Sequence, residues 1–261
     1  MPKIRFSDVT LYYKIEGKGD PLVLIHGLGG EHRSWDGPLK DRFLEHFQVV
    51  TVDLRGHARS SSSGDTYTTK LFANDVLRLM NKLKVGPARV VGISMGGTVA
   101  MHLAAARPSK VKQLVLVDTW ARCDEAARAC FHEWIEASKE SQRLLQKLVL
   151  IRTATPEFLA ANPDFEGLFA DIWPTNSGSA FRKSCQACLS HDATDVLEKI
   201  EAPTLVMVGD RDILVPPRLS RELSKKIKNS RLRIIKGGGH VPWLDNPEAC
   251  MNELSNFLWS C

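Results

Sequence analysis

The segment Gly92-Ile93-Ser94-Met95-Gly96-Gly97 sets a serine between glycines two residues away on either side, after an apolar run and before an amphipathic stretch. A G-x-S-x-G pattern between a strand and a helix makes the turn that lifts a serine Oγ above a sheet for nucleophilic attack. Such a turn is so sharp that only glycine lets the neighbouring backbone pass. The helix that follows points free N–H groups, and the positive end of its dipole, at the place where an oxyanion would form. Ser94 is therefore the candidate nucleophile, and the Met95 N–H a candidate oxyanion donor.

A second donor is needed, since acyl transfer gains about 3–4 kcal/mol from each preorganised N–H on the oxyanion. His26-Gly27-Leu28-Gly29-Gly30 directly follows the apolar run Pro21 to Ile25, and Leu28 is its most plausible donor. A base must also take the serine proton. With a nucleophile on this kind of turn, chain order runs serine, acid, histidine. Of the eight histidines, only His240 lies beyond the last strand-end aspartates, after Gly237-Gly238-Gly239. That flexible turn can swing an imidazole back over the serine. The acid is left open between Asp210 and Asp212 in Gly209-Asp210-Arg211-Asp212, with Asp118 a third candidate at the end of an earlier strand. Asp53 and His57, in Asp53-Leu54-Arg55-Gly56-His57, read as braces of a neighbouring loop.

These residues need a scaffold that presents strand ends side by side. Short apolar runs alternate with longer amphipathic ones, which predicts a mostly parallel sheet flanked by helices. Val9 to Ile15 alternates like an early hairpin strand; Pro21 to Ile25, Val49 to Val52, Ala88 to Val91, Val111 to Val117, Thr204 to Val208 and Leu232 to Ile235 read as further strands. Helical spacing runs through Thr68 to Leu83, Met95 to Arg107 and Pro217 to Ile227. Residues 119–197 break the pattern, with helical periodicity and many aromatics, and predict a helical cap inserted after the sixth strand; 1–118 and 198–261 then form the core. Trp120, Phe131, Trp134 and Trp173 of the insertion, with Trp35 and Trp243 of the core, are candidates to line an apolar substrate pocket.

Composition narrows the function classes. The 261 residues are 43 % hydrophobic and 25 % charged, ordinary for a soluble domain with a sizeable core. Neither a signal-peptide core nor a membrane-length apolar run is present, so a cytoplasmic protein without a membrane partner is expected. Six cysteines, at 123, 130, 185, 188, 250 and 261, lack the spacing of a disulfide scaffold. Cys185-x-x-Cys188 has no second pair to complete a zinc site, so neither metal nor redox chemistry is expected. The basic run from Arg218 to Lys236 reads as a solvated helix face and turn, with no nucleic-acid partner expected.

With these residues in place, the chain resembles the α/β-hydrolase superfamily over nearly its whole length. The resemblance rests on HGLGG, Ser34-Trp35, VDLRGHARS, GISMGG, the GDRD strand end and GGGHVPWLDNPE. Ala58 departs from the glycine that many relatives carry in RGHGxS. The resemblance implies the α/β-hydrolase fold, with Asp212 as the acid beside Ser94 and His240. Its closest flavour is similar to small carboxylesterases, enol-lactonases such as 3-oxoadipate enol-lactonase, and acyl-carrier-protein methyl ester esterases. It implies covalent catalysis without a cofactor, on a small or medium apolar ester or lactone. A serine at the elbow sets the chain apart from haloalkane dehalogenases and epoxide hydrolases, which use aspartate there. Basic and acidic side chains are nearly balanced in the insertion, which leaves no footprint for an anionic carrier protein. Carbon–carbon bond hydrolysis by the same three residues is the enzymatic alternative, and ligand sensing with little turnover the alternative of another class.

Overall fold

The computed structural model describes residues 2–173 and 176–260. Eight strands form one sheet: β1 (Lys3–Arg5), β2 (Thr10–Glu16), β3 (Asp20–Ile25), β4 (Phe47–Val52), β5 (Ala88–Ile93), β6 (Val111–Val117), β7 (Thr204–Gly209) and β8 (Ser230–Ile235). Their order across the sheet is β1-β2-β4-β3-β5-β6-β7-β8. The β1–β2 and β2–β4 pairs are antiparallel, and every pair from β4 to β8 is parallel. Runs such as VVTV and LVLV are buried on both faces, as interior strands of a parallel sheet must be.

Strand periodicity sorts the core into two apolar layers. Val23, Ile25, Val90, Leu114, Leu116 and Val206 point to one layer, with α2 (Thr69–Lys82), α3 (Met95–Ala106) and α9 (Pro217–Lys226). Leu22, Leu24, Val91, Val115, Val117 and Met207 point to the other, with α1 (Pro38–Leu44) and α11 (Pro247–Leu258). The strands read from the sequence are all present, with their ends displaced by no more than two residues. The three-residue β1 was not expected: only one of its residues is even half-buried, so it carries almost no apolar signal. Helices α1 and α11 were also unmarked, and Ser34-Trp35 sits in a 3₁₀ turn (His32–Trp35), ahead of α1.

Between β6 and β7 the chain builds α4 (Glu125–Glu140), α5 (Gln142–Thr153), α6 (Pro156–Ala161), α7 (Phe165–Ile172) and α8 (Gly178–Leu189). Asp124, Ser141, Thr155 and Ser177 cap four of them, each side chain accepting from a backbone N–H three residues on. Phe131, Trp134, Leu145, Val149 and Phe181 join the same apolar layer as α2 and α3, so the helices share the core rather than build one of their own. An antiparallel bridge between Arg122 and Asp192 draws the two ends of this insertion together. No helix among the described residues is long and apolar enough to cross a membrane. A short helix, α10 (Pro242–Asp245), follows the His240 turn and precedes α11.

Beside that bridge lies a buried histidine pair. His191 Nε2–H donates to the Trp120 carbonyl at 3.2 Å, which leaves Nδ1 to accept from Thr69 Oγ1 at 2.9 Å. The His102 ring stands 5.2 Å away. Burial holds His102 down to about 4 and His191 to about 3. Both rings are then neutral in the folded chain, whereas in the unfolded chain they titrate near 6.5. The unfolded state therefore binds more protons as pH falls, and stability drops below about pH 6.5 until the folded rings protonate. Each histidine is expected to remove about 1 kcal/mol per pH unit in that window. Thermal midpoints measured from about pH 7.5 to about pH 4.5 check this, with a shallower slope expected for His191→Gln.

Candidate active site

Ser94 stands between β5 and α3 at φ +55° and ψ −124°, a backbone state that side-chain-bearing residues seldom adopt. Its N–H donates to the Val117 carbonyl at 2.9 Å, which ties the turn to β6. The glycines around it are there for room. A Cβ on Gly92 would lie 2.3 Å from the Gly96 carbonyl oxygen, one on Gly96 would lie 2.1 Å from that of Ile25, and one on Gly97 would strike Thr119. Met95 is the first residue of α3, and its N–H belongs to the set without a partner inside the helix.

The oxyanion loop candidate is a tight turn. Gly30 N–H donates to the Gly27 carbonyl at 3.2 Å, and Gly29 takes φ +72°. A glycine with positive φ at the third position matches a type II turn. His26 fastens its near end: Nε2 accepts from the Leu54 N–H at 3.1 Å, so Nδ1 carries the proton and donates to the Gly27 carbonyl at 2.7 Å. Burial drives His26 well below the usual histidine range, in keeping with that neutral tautomer. A Cβ on Gly27 would sit 3.3 Å from the Ser94 Cβ, so the turn lies directly against the serine.

Trp173 covers the far side of the same turn. Its Nε1–H donates to the Leu28 carbonyl at 2.9 Å, and its ring occupies the space a side chain on Gly29 would need. Gln146 on α5 steadies this end of α7 by donating to the Ala170 and Trp173 carbonyls at 2.8 and 2.6 Å.

The structure separates the candidate acids. Asp212 Oδ2 accepts from His240 Nδ1 at 2.7 Å, while its Oδ1 accepts the Leu214 and Val215 N–H groups, both at 2.9 Å. Asp210 is exposed and accepts from the Gly237 N–H at 2.7 Å, a turn-building role. Asp118 is buried beside Asp212 and His240, and one donor atom from each of the three lies within 4.8 Å of the others. Ser94, Asp118, Asp212 and His240 follow β5, β6, β7 and β8, so they stand along one carboxyl edge of four neighbouring parallel strands.

The His240 turn is held by residues that carried no signal as a group. Its own N–H donates to the Thr153 carbonyl at 3.2 Å, and the Gly239 N–H donates to Asp245 Oδ2 at 2.8 Å. Thr155 Oγ1–H donates to the other Asp245 oxygen. Thr153 ends α5 and Thr155 caps α6, so the insertion itself braces the histidine. Asp245 lies in the LDNPE stretch of the C-terminal motif, the one readable hint of these contacts.

Asp53 braces a loop as expected: its Oδ1 accepts the backbone N–H and Nδ1 of His32, both at 2.7 Å, and its Oδ2 accepts the Arg59 N–H at 3.1 Å. His57 is buried, with Nδ1 3.1 Å from the Arg55 carbonyl. Glu31, His32 and Asp53 bring three donor atoms within 4.8 Å, but these atoms are engaged with one another and with Arg33. Cys185 and Cys188 are buried on α8, where desolvation pushes both thiols up, and Cys261 lies outside the described residues.

Of the six candidate pocket aromatics, Trp173 is the one hydrogen-bonded to the Leu28 turn. Trp35 is buried in the layer beneath the sheet, stacked on the half-buried Trp243 at 5.5 Å. Trp120, Phe131 and Trp134 are buried as a packed row, with ring centroids 5.8 and 5.5 Å apart. A cleft of about 300 Å³ opens between α5 and α7, lined in part by Arg143, Lys147, Glu166 and Phe169. It includes none of Ser94, Asp212 and His240, and charged side chains at its rim make it a surface feature of the insertion.

Residues 20–247 match the family model described as alpha/beta hydrolase fold. A Mycobacterium tuberculosis protein that carries the name non-heme bromoperoxidase is 28 % identical over 97 % of this chain and 98 % of its own. A pimeloyl-[acyl-carrier protein] methyl ester esterase of Neisseria meningitidis is 30 % identical over 87 % of this chain and 89 % of its own. Among solved structures, the enol-lactonase from Burkholderia xenovorans LB400 superposes with a TM-score of 0.92 at 26 % identity, over 99 % of this chain and 100 % of that one.

The glycine contacts generate a stability test. Gly96→Ala forces a methyl group into the Ile25 and His26 carbonyls and is expected to cost at least about 3 kcal/mol. Gly64→Ala meets nothing within 4 Å and should stay within about 0.5 kcal/mol of wild type in urea unfolding.

Proposed function

The chain belongs to the α/β-hydrolase family, and on that premise we propose that it is a serine hydrolase cleaving a carboxylic ester or lactone of a small to medium apolar substrate. The observation that carries this reading is the buried 2.7 Å bond from His240 Nδ1 to Asp212 Oδ2. A carboxylate on Nδ1 fixes the tautomer in which Nε2 has a free lone pair, the state a general base must have. The relatives' names span different reactions, so the choice of chemistry rests on this geometry and on the serine turn.

The proposed reaction gives each of these residues one task. Ser94 Oγ attacks the substrate carbonyl as His240 Nε2 takes its proton, and the carbonyl π electrons move onto oxygen. The Leu28 and Met95 N–H groups receive that oxyanion, the first on the turn that His26 and Trp173 hold, the second at the start of α3. Collapse expels the alkoxide, which takes the proton back from His240 and leaves an acyl group on Ser94. A water, deprotonated by His240 in turn, attacks this ester and frees the acid and the serine. Asp212 balances the imidazolium charge at each transfer. Covalent attack and proton transfer supply all the chemistry, so the scheme calls for no metal or organic cofactor.

Enclosure supports the proposed substrate size. Ser94 is 8 % exposed and His240 5 %, which favours a compact apolar acyl group over a bulky polar one. The full-length likeness to an enol-lactonase favours lactones as a second substrate class of the same site. We assign the activity to the cytoplasm, where the buried thiols of Cys123, Cys185 and Cys188 would stay reduced.

Hydrolysis of p-nitrophenyl esters from acetate to decanoate, and of small lactones, tests this reading. Short and medium chains should turn over best. Ser94→Ala should lose at least about 10⁴-fold in kcat, and Asp212→Asn about 10⁴-fold, through the wrong imidazole tautomer. A folded wild type inert toward every ester and lactone would overturn the assignment, as would full activity in Ser94→Ala.

A further inference from the structure

Asp118 has no place in those steps, yet it is buried at their centre. It ends β6 at φ +45°, a strained backbone state for a residue with a side chain. Two bonds to β7 hold it there: its N–H donates to the Met207 carbonyl, and its Oδ1 accepts the Gly209 N–H at 3.0 Å. Its Oδ2 is buried and receives no donor. The titratable groups that face it are Asp212 and His240 from the turns after β7 and β8, Asp245 from α10 and Cys250 from α11. None of these is a fixed cation.

Two carboxylates in one dry site cannot both carry charge, and the one with fewer donors keeps the proton. Asp212 has two backbone N–H groups and an imidazole, whereas Asp118 has a single N–H. An ionised Asp118 would leave Oδ2 as an uncompensated buried acceptor beside a second negative charge. A protonated one turns that oxygen into a donor and resolves both faults. We propose that Asp118 is a neutral carboxylic acid that donates its proton in a hydrogen bond to the Asp212 carboxylate, and so acts as a positioning residue behind the Asp212–His240 pair. Burial, followed by the Asp212 charge, pushes Asp118 well above the usual carboxylate range, in the same direction.

The arrangement matters for the base. With Asp118 neutral, His240 faces one negative charge, shared between two carboxyl groups. With both ionised, a second buried negative charge would stand beside the base with no fixed cation to balance it. The donated proton also fixes the Asp212 plane against rotation about its side chain.

The kinetic test rests on the proposed serine-hydrolase reading; the spectroscopic test does not. Infrared spectra of the folded wild type at neutral pH should show the C=O stretch of a protonated carboxylic acid, absent from Asp118→Asn. In ester hydrolysis, Asp118→Leu offers Asp212 no donor and should lose at least about tenfold in kcat. Asp118→Asn keeps an acceptor for Gly209 and a donor for Asp212. It should recover most of that loss and hold the acid limb of kcat/KM at the wild-type pH. A wild-type spectrum without the band overturns the proposal, and it needs no variant to fold. So does a band that survives in Asp118→Asn. An acid limb that falls by about one pH unit or more in Asp118→Asn also overturns it, since that shift means a charge was removed. Should no ester be turned over at all, the hydrolase reading fails while the infrared result still decides the protonation of Asp118.

Discussion

Everything at this site hangs on how closely three strands of backbone pass one another at the carboxyl edge of the sheet. Gly96, on the first turn of α3, comes so near the end of β3 that a methyl group would fall 2.1 Å from the Ile25 carbonyl oxygen. That contact places the helix start, with its unpaired N–H groups, against the turn at Gly27. Between β5 and that helix start, Ser94 takes a positive φ. The same device recurs across the sheet: Gly209 ends β7 so close to Gly238 and Gly239 that a side chain would strike both carbonyls, at 2.2 and 2.3 Å. Ser94 and His240 thus each stand beside a glycine contact between adjoining strand ends.

The helical insertion does more than cover these strand ends. Through Thr153 and Thr155 it grips the His240 turn, and through Trp173 it grips the Leu28 turn. Helix α5 serves both, because Gln146 binds the end of α7 and Thr153 ends α5 itself. The insertion is anchored at its base by the Arg122–Asp192 bridge and the Thr69–His191 bond. The His240 turn and the Leu28 turn therefore depend on the same few contacts of the insertion.

How much of this was legible in the sequence follows from how local each signal is. The elbow, the glycine turn after β3 and the lone late histidine are local patterns, and the structure puts all three at one edge. The parallel strands were readable because burial on both faces demands unbroken β-branched runs. Asp212 and Asp210 could not be separated from composition alone, since both follow β7; the turn geometry sends one inward to His240 and the other outward to Gly237. The braces Thr153, Thr155 and Trp173 were illegible as a set, because they meet the His240 and Leu28 turns only once α5, α6 and α7 are folded. Large aromatics carry a less specific signal: Trp35, Trp120, Phe131 and Trp134 have the chemistry of a pocket wall, and in the structure they are buried and packed against neighbouring rings.

In the proposed reaction Ser94 carries the acyl group, and rapid-quench mass spectrometry of the protein during turnover of a p-nitrophenyl ester tests this. A peptide heavier by one acyl group, with the mass on Ser94, is expected in the first turnover and should disappear once the ester is exhausted. Turnover with no adduct, or with the acyl group on another residue, would contradict it.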